Sequence, residues 1–309
     1  MKKVSNNFVA YLSLLTQSVL IGFTFLVVKQ CVSVTTPVGT LFFRFWFALI
    51  FVLILTAFKI THLNFKGKKH RAELAAAAFF YCAFLGLQSL GLTLTTSVIS
   101  GILFACVPII SAILSAVILR ERTNGVQNVF MLISVAGVIG VTLLGNSLSQ
   151  NFSITGALIL LASAVCSALT SVFMRKVKSV YSPYEIGFCN SLMGVLLFSA
   201  AALISNGFSP NAWGEFFSPL TKLDFIFFML YLGVGCTFLT SALQGYALKH
   251  LSTVRVTIWS NLSSAISLIA GVVILGEPLA VYQIICSILI ISGVIGVNLF
   301  SKYKRGGAK

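Results

Sequence analysis

Residues 137–141 read GVIGV, and residues 293–297 repeat the same five letters in the same order. The match continues on both sides of the pentapeptide: a shift of 156 positions aligns residues 87–143 with 243–299 without a gap, and 19 of the 57 aligned positions are identical. The pentapeptide is therefore part of a longer repeated segment.

Rare polar residues inside the repeated segment decide what the match means. Apolar composition alone raises the number of chance identities, but it does not align Gln88 with Gln244 or Glu121 with Glu277. The sequence therefore predicts an internal duplication.

The composition indicates that most of this chain lies in a lipid bilayer. Of its 309 residues, 58% are hydrophobic and 9% are charged, and the mean hydropathy is +1.02, whereas a soluble domain carries about 25% charged residues. A bilayer is crossed by roughly 20 apolar residues whose backbone bonds to itself, so helices are expected. The predicted spans lie at about Phe8–Lys29, Val38–Phe58, Leu74–Leu92, Ser97–Leu119, Val126–Leu144, Ile154–Met174, Tyr184–Ile204, Phe225–Ala247, Val254–Leu275 and Ala280–Phe300.

The net charge of +15 reports topology rather than nucleic-acid binding. Of the 21 basic residues, 18 fall in loops on the side of the two termini, and only Lys29, Arg44 and Lys222 lie elsewhere. The positive-inside rule then places both termini in the cytoplasm. We expect a multi-pass protein of the cell membrane, the inner membrane of a bacterium, with no nucleic-acid partner.

An odd number of spans in each repeat fixes their relative orientation. Five spans per repeat force the second repeat to enter the bilayer with the opposite orientation to the first. The predicted fold is an all-α membrane protein with ten transmembrane helices, arranged as two inverted five-helix repeats around a central cavity.

Several stretches resemble a known family. Residues 22–29, GFTFLVVK, resemble the first-span pattern of the EamA-like branch of the drug/metabolite transporter superfamily, and residues 43–45, FRF, resemble its second-span motif. Residues 108–122, 247–252 and 274–277 look like its remaining signatures.

This resemblance covers nearly the whole chain. It implies EamA-like five-helix repeats at residues 1–148 and 152–309 with a cavity between them. It also implies a transporter, often an exporter of amino acids or other metabolites.

Polar side chains inside spans mark the wall of a cavity, since they are costly in contact with lipid. Their helical phase predicts that spans 1, 3, 4, 6, 8 and 9 surround it and that spans 5 and 10 lie outside. Ser and Thr also join membrane helices through hydrogen bonds. The long amides Gln17, Gln88 and Gln244 offer both donors and acceptors, so they are the preferred solute contacts.

Further candidate contacts carry a second interpretation each. Arg44 is a contact for a solute carboxylate or part of an outer gate, or else an interfacial anchor. Trp259 offers a stacking face or packs against lipid and helices. Thr24, Asn190 and Asn261 complete the predicted substrate-binding set.

The positions of the acidic residues and of Cys31 lead to three further expectations. None of the six acidic residues falls in the middle third of a span, so a carboxylate proton relay is not expected. Glu121 and Glu277 are predicted to cap the helices that follow them. Cys31 is predicted to lie near the outer face, within reach of a thiol reagent if its loop is open.

The expected partners are a small-molecule solute and the lipid bilayer, and no cofactor is predicted. An importer or exchanger is an alternative to an exporter, because an inverted repeat works in both directions. A scaffold without transport activity is a third possibility. An enzyme is disfavoured, since no catalytic constellation is found within the spans. The oligomeric state is left open.

Overall fold

The computed structural model describes residues 2–61, 63–65, 67–118, 125–148, 153–177, 180–207, 209–240, 243, 246–247, 253–277 and 279–300. Within these residues the chain forms helices and turns, and no strand. The helices are α1 (Lys2–Val34), α2 (Pro37–Ala57), α3 (Arg71–Leu94), α4 (Ser97–Phe104), α5 (Val107–Ile118), α6 (Gly125–Leu148), α7 (Ile154–Val177), α8 (Pro183–Asn206), α9 (Pro210–Phe217), α10 (Leu223–Leu230), α11 (Thr253–Leu275) and α12 (Val281–Phe300), with a 3₁₀ turn at Ser218–Thr221 and a π-helix at Tyr231–Leu239.

The described chain is a multi-pass membrane protein by the length and composition of its helices. Five segments are long and apolar enough to cross a bilayer, and a sixth is added if a helix pair bent by 82° counts as one span. The five are Phe8–Val34, Pro37–Ala57, Arg71–Leu94, Ile154–Met174 and Pro183–Asn206. Shorter apolar helices lie at 97–111, 128–140, 265–275 and 281–293, where the sequence predicts other spans.

The predicted fourth span, Ser97–Leu119, is interrupted rather than continuous. Helix α4 ends at Phe104 and α5 begins at Val107. Pro108 is the cause, because it has no N–H to donate to the preceding helical turn.

Helices α2 and α8 begin in the same way. Thr36 and Ser182 are their N-caps, each side chain accepts a hydrogen bond from the backbone three residues ahead, and each is followed by a proline in the first turn. This combination terminates the preceding loop and fixes the helix start.

The two halves of the chain interlock. The largest interfaces join α3 with α7, α6 with α12, α1 with α11 and α2 with α8, and every pair takes one helix from each half. The walls of the interior are therefore built jointly by both halves.

The repeated GVIGV pentapeptides explain one of these interfaces. A Cβ added to Gly137 of α6 would lie 2.9 Å from the carbonyl oxygen of Cys286, and one added to Gly293 of α12 would lie 2.6 Å from that of Phe130. The contact is reciprocal, since position 286 is the repeat counterpart of position 130. Glycine is required because any side chain would push these backbones apart.

Candidate substrate site

Arg44 is a buried cation inside α2. Its side chain is only 2% exposed, and it lies seven residues after Pro37, which is about 10 Å along the helix. Its Nε and Nη1 atoms have no hydrogen-bond partner, and none of the ion pairs among the described residues includes it. A buried charge normally requires a partner, and these two donor atoms could donate to an anion.

Arg44 lies within electrostatic range of neutral groups from three helical segments. Its charge acts on Cys31 of α1, Cys82 of α3, and Tyr231 and Cys236 of the π-helix. None of these groups is a carboxylate. Since Arg44 also takes part in none of the ion pairs of the described residues, its positive charge has no counter-ion there.

Two of the predicted contacts, Thr24 and Asn190, each contact one of these thiols. Thr24 Oγ1 lies 3.2 Å from Cys236 Sγ, and the Cys82 thiol donates to the backbone oxygen of Asn190 at 3.8 Å. The thiols thus link Thr24 and Asn190 to groups on which the charge of Arg44 acts.

Three buried amides retain an unpartnered oxygen. Gln17 is 7% exposed, Gln88 is 2% exposed and Asn190 is 6% exposed, and the side-chain oxygen of each accepts no hydrogen bond. An unsatisfied buried amide costs free energy unless a ligand or water supplies the missing donor. These acceptors complement the free donors of Arg44.

The small hydroxyls behave differently from the amides. Ser13 donates to the carbonyl oxygen of Val9 at 2.8 Å, and Thr24 donates to that of Leu20 at 3.1 Å. Such bonds to the preceding helical turn satisfy the hydroxyl within the protein. The Thr24 hydroxyl is thus bonded within the protein, whereas the oxygens of Gln17, Gln88 and Asn190 accept no hydrogen bond.

Of the remaining predicted contacts, the structure describes the side chain of Gln88 alone. Gln88 lies six residues after Cys82, about 9 Å further along α3. Gln244 falls outside the described residues. Trp259 and Asn261 lie in α11, where the structure describes their backbone but not their side chains.

A polar cluster, the Glu277 cluster, lies beside the C-terminal end of α1. Lys29 Nζ is 2.8 Å from Glu277 Oε1. The backbone N–H groups of Ser97 and Val98 donate to the same carboxylate at 3.0 and 2.9 Å, and the Ser97 hydroxyl donates at 2.8 Å. The cluster joins α1, α4 and the loop between α11 and α12.

The prediction that Glu277 caps the helix after it is wrong. Its carboxylate caps α4 instead, because the loop that follows α11 brings it to the N-terminus of that helix. Burial would raise the pKa of the Glu277 carboxyl, but the Lys29 ammonium and the Ser97 and Val98 donors together hold that pKa below its usual range. Glu121 lies outside the described residues.

A second polar cluster, the Glu185 cluster, lies beside the loop that follows α2. Lys68 Nζ is 2.6 Å from Glu185 Oε2, and the backbone N–H groups of Asn64 and Ser182 donate to Glu185 at 2.9 and 2.8 Å. Since α2 has 21 residues, about 30 Å of helix, the two clusters lie at opposite ends of the bundle.

Sequence reasoning missed the thiols around Arg44. Gln17, Thr24 and Cys31 are spaced by seven residues, so they share one face of α1, and this spacing was the available signal. Cys31 itself is completely buried, because α1 continues to Val34 beyond the predicted end at Lys29. Its expected accessibility to a thiol reagent is therefore corrected.

Apolar helices of bilayer length around unpartnered polar groups define a class: a multi-pass membrane protein with a polar interior. The model of the EamA-like transporter family matches the chain over residues 8–143 and again over 154–299. The chain belongs to the EamA-like transporter family.

Similar proteins carry names of the same kind. The Bacillus subtilis (strain 168) protein named "Uncharacterized transporter YcxC" is 31% identical over 300 residues, which cover 96% of each chain. The "Uncharacterized transporter YyaM" of the same organism is 26% identical, and the aligned residues cover 95% of each of the two chains. A solved structure, "Crystal structure of protein", shares the fold at a TM-score of 0.64 and 16% identity, covering 98% of this chain and 99% of that one. The chain is a membrane transporter of a small solute rather than an enzyme.

Proposed function

We propose that the chain exports amino acids or related polar or amphipathic solutes by alternating access. The observation that carries the proposal is the unpartnered guanidinium of Arg44, buried among neutral groups, together with the unpartnered amide oxygens of Gln17, Gln88 and Asn190. Arginine can only donate, so its missing partner is an anion such as a carboxylate. An amide oxygen accepts hydrogen bonds, so it suits an ammonium group. An amino acid supplies both.

The proposed architecture is ten transmembrane helices in two inverted repeats, residues 1–148 and 152–309, around a central cavity. The double match of the family model and the reciprocal glycine contacts of α6 and α12 support it. Gln88 and its repeat counterpart Gln244 would then line the cavity from opposite halves. Such pseudo-symmetry allows one site to open to either side in turn.

The proposed orientation places both termini in the cytoplasm, in a bacterial inner membrane, as the distribution of basic residues supports. The test uses cysteines introduced at two exposed lysines and a membrane-impermeant thiol reagent on intact cells. Lys222→Cys should be labelled at once, and Lys69→Cys only after permeabilisation. The opposite labelling order would reverse the orientation.

The solute proposal is tested in proteoliposomes loaded with radiolabelled amino acids or with the matching amino-acid carboxamides, which lack the carboxylate. Efflux of one or more amino acids should exceed that from protein-free liposomes, and the matching carboxamide should leave far more slowly. Equal rates for acid and carboxamide would reject Arg44 as a carboxylate contact. Efflux no faster than from protein-free liposomes, for every amino acid, would reject the proposed solute class.

A further inference from the structure

A groove of about 600 Å³ opens between α3 and α8, beside residues 63–65. Its walls are mainly apolar side chains, among them Leu74 and Ala78 of α3 and Leu192, Met193 and Leu196 of α8. Arg44 is not among the residues that line it.

The groove opens on the surface of two membrane-spanning segments. Leu192 is 39% exposed and Leu196 is 60% exposed, and Ala75 on the facing helix is also exposed. From Arg71 to Ala78, and from Cys189 to Leu196, each wall continues for seven residues, or about 10 Å. Apolar walls at this position accept hydrocarbon from the bilayer.

Polar groups lie at one end of the groove. Arg71 is exposed, and its Nη2 donates a hydrogen bond to the Phe65 carbonyl at 2.8 Å. Tyr181 is 3% exposed, yet its hydroxyl has no hydrogen-bond partner. A buried unpartnered hydroxyl in a groove wall points to a missing ligand.

We propose that this groove binds an anionic phospholipid, with an acyl chain between α3 and α8 and the phosphate held by Arg71 and the Tyr181 hydroxyl. The charge near the site supports this occupant, because exposed Lys59 and Lys69 lie in the loop that leads to Arg71, the first residue of α3. Basic pockets between transmembrane helices attract anionic headgroups. The assignment does not depend on the solute.

The lipid site shares a wall with the Glu185 cluster. Lys68 Nζ lies 5.2 Å from the centroid of the Tyr181 ring, and Asn64, which also lines the groove, donates its backbone N–H to Glu185. A lipid that orders the Tyr181 side chain therefore also stabilises the Lys68–Glu185 ion pair. Lipid binding should raise the thermal stability of the whole chain.

The test compares two lipids with the same acyl chains on the purified full chain in lipid-free detergent. Binding is followed by native mass spectrometry and stability by the shift in Tm. Dioleoylphosphatidylglycerol should bind about fivefold more tightly than dioleoylphosphatidylcholine, because its headgroup carries a net negative charge, whereas the choline of phosphatidylcholine neutralises its phosphate. Arg71→Gln should remove this preference. Lys222→Gln, which loses the same charge in another loop, should retain it.

Steric variants test the chain-binding part. Ala75→Trp, at an exposed wall position, should abolish the tighter binding, whereas Leu203→Trp, exposed on α8 away from the groove, should not. Tyr181→Phe provides a second polar variant and should weaken the binding of both lipids, because both carry the phosphate to which the hydroxyl would donate. Equal binding of both lipids to the natural chain, or a preference that survives Arg71→Gln and Ala75→Trp, would overturn the proposal. An equal Tm shift from glycerol 3-phosphate alone would overturn the acyl-chain assignment.

Discussion

The carboxylates at the two ends of the bundle and the guanidinium between them are all buried but differ in their partners. Glu277 and Glu185 are 8% and 2% exposed, and each accepts hydrogen bonds from a lysine and from two backbone N–H groups. Arg44 is 2% exposed, and its Nε and Nη1 donate to no group in the described chain.

This difference separates two uses of buried charge. A charge whose hydrogen bonds are complete contributes to the stability of the fold, and removing one partner exposes the other to the full cost of burial. A charge whose bonds are incomplete costs stability until a ligand completes them. The clusters should therefore govern folding, and Arg44 should govern transport.

The largest expected effect is on transport by Arg44→Gln. This change removes the proposed carboxylate contact, so amino-acid efflux from proteoliposomes should fall about 100-fold, equivalent to about 2.7 kcal/mol. The Tm should stay level or rise, since a buried unpaired charge is removed.

Arg44→Lys keeps the charge but not the planar fork of donors, and should retain partial activity. Lys222→Gln, an exposed loop lysine, is the matched control and should transport normally. A large loss of Tm in Arg44→Gln with normal efflux per folded molecule would assign Arg44 to the structural class.

The next effect is on stability. Glu277→Gln should lower the free energy of unfolding by about 2 kcal/mol, less than for a fully buried pair because Lys29 is 31% exposed. Glu215→Gln, in an exposed position of α9, should cost almost nothing. Thermal unfolding in detergent measures both.

The double variant Lys29→Met/Glu277→Gln tests the pairing itself. Partners in one ion pair give non-additive effects, so the double variant should cost clearly less than the two single variants combined. Strict additivity would mean that Lys29 and Glu277 stabilise the chain independently.

A smaller effect is expected for the amides. Gln88→Ala and Gln17→Ala should each reduce efflux about fivefold, as one lost hydrogen bond of about 1 kcal/mol predicts. Gln244→Ala tests the repeat counterpart in the same way. Ser13→Ala is the control, because that hydroxyl already bonds to Val9. If the Ser13 variant lost as much activity as the amide variants, the amides would have no special role.

Local patterns allowed much of the fold to be predicted. The predicted second span, Val38–Phe58, matches α2 at Pro37–Ala57 within one residue at each end, because an apolar run, a Thr cap and Pro37 mark it. The break before Pro108 was missed, because Ser97–Leu119 was predicted as one continuous span although a proline inside a helix removes a backbone hydrogen bond.

Local sequence patterns could not predict contacts between residues that are far apart in the chain. Lys29 and Glu277 are 248 positions apart, and capping rules consider only the helix next in sequence. Arg44 was readable as an intramembrane charge, but the thiols of Cys82 and Cys236 reach it only through helix packing. The sequence therefore identified polar residues within the spans, but not which of them meet in the folded chain.

The smallest expected effect is the pH dependence of the Glu277 cluster. The pKa of Glu277 is lower in the folded chain than its ordinary value, which is about 4.3 for an unperturbed glutamate. A carboxylate with a lowered pKa stabilises the fold fully above that ordinary value, and the stabilisation is lost as pH falls through the lowered one. The difference in Tm between the natural chain and Glu277→Gln should therefore be constant from about pH 7 to 5 and shrink below about pH 4. Glu215→Gln should show no such convergence, because its carboxylate is exposed. A Tm difference for Glu277→Gln that persists unchanged at the lowest pH would mean that the lost stability comes from side-chain packing rather than from the charge.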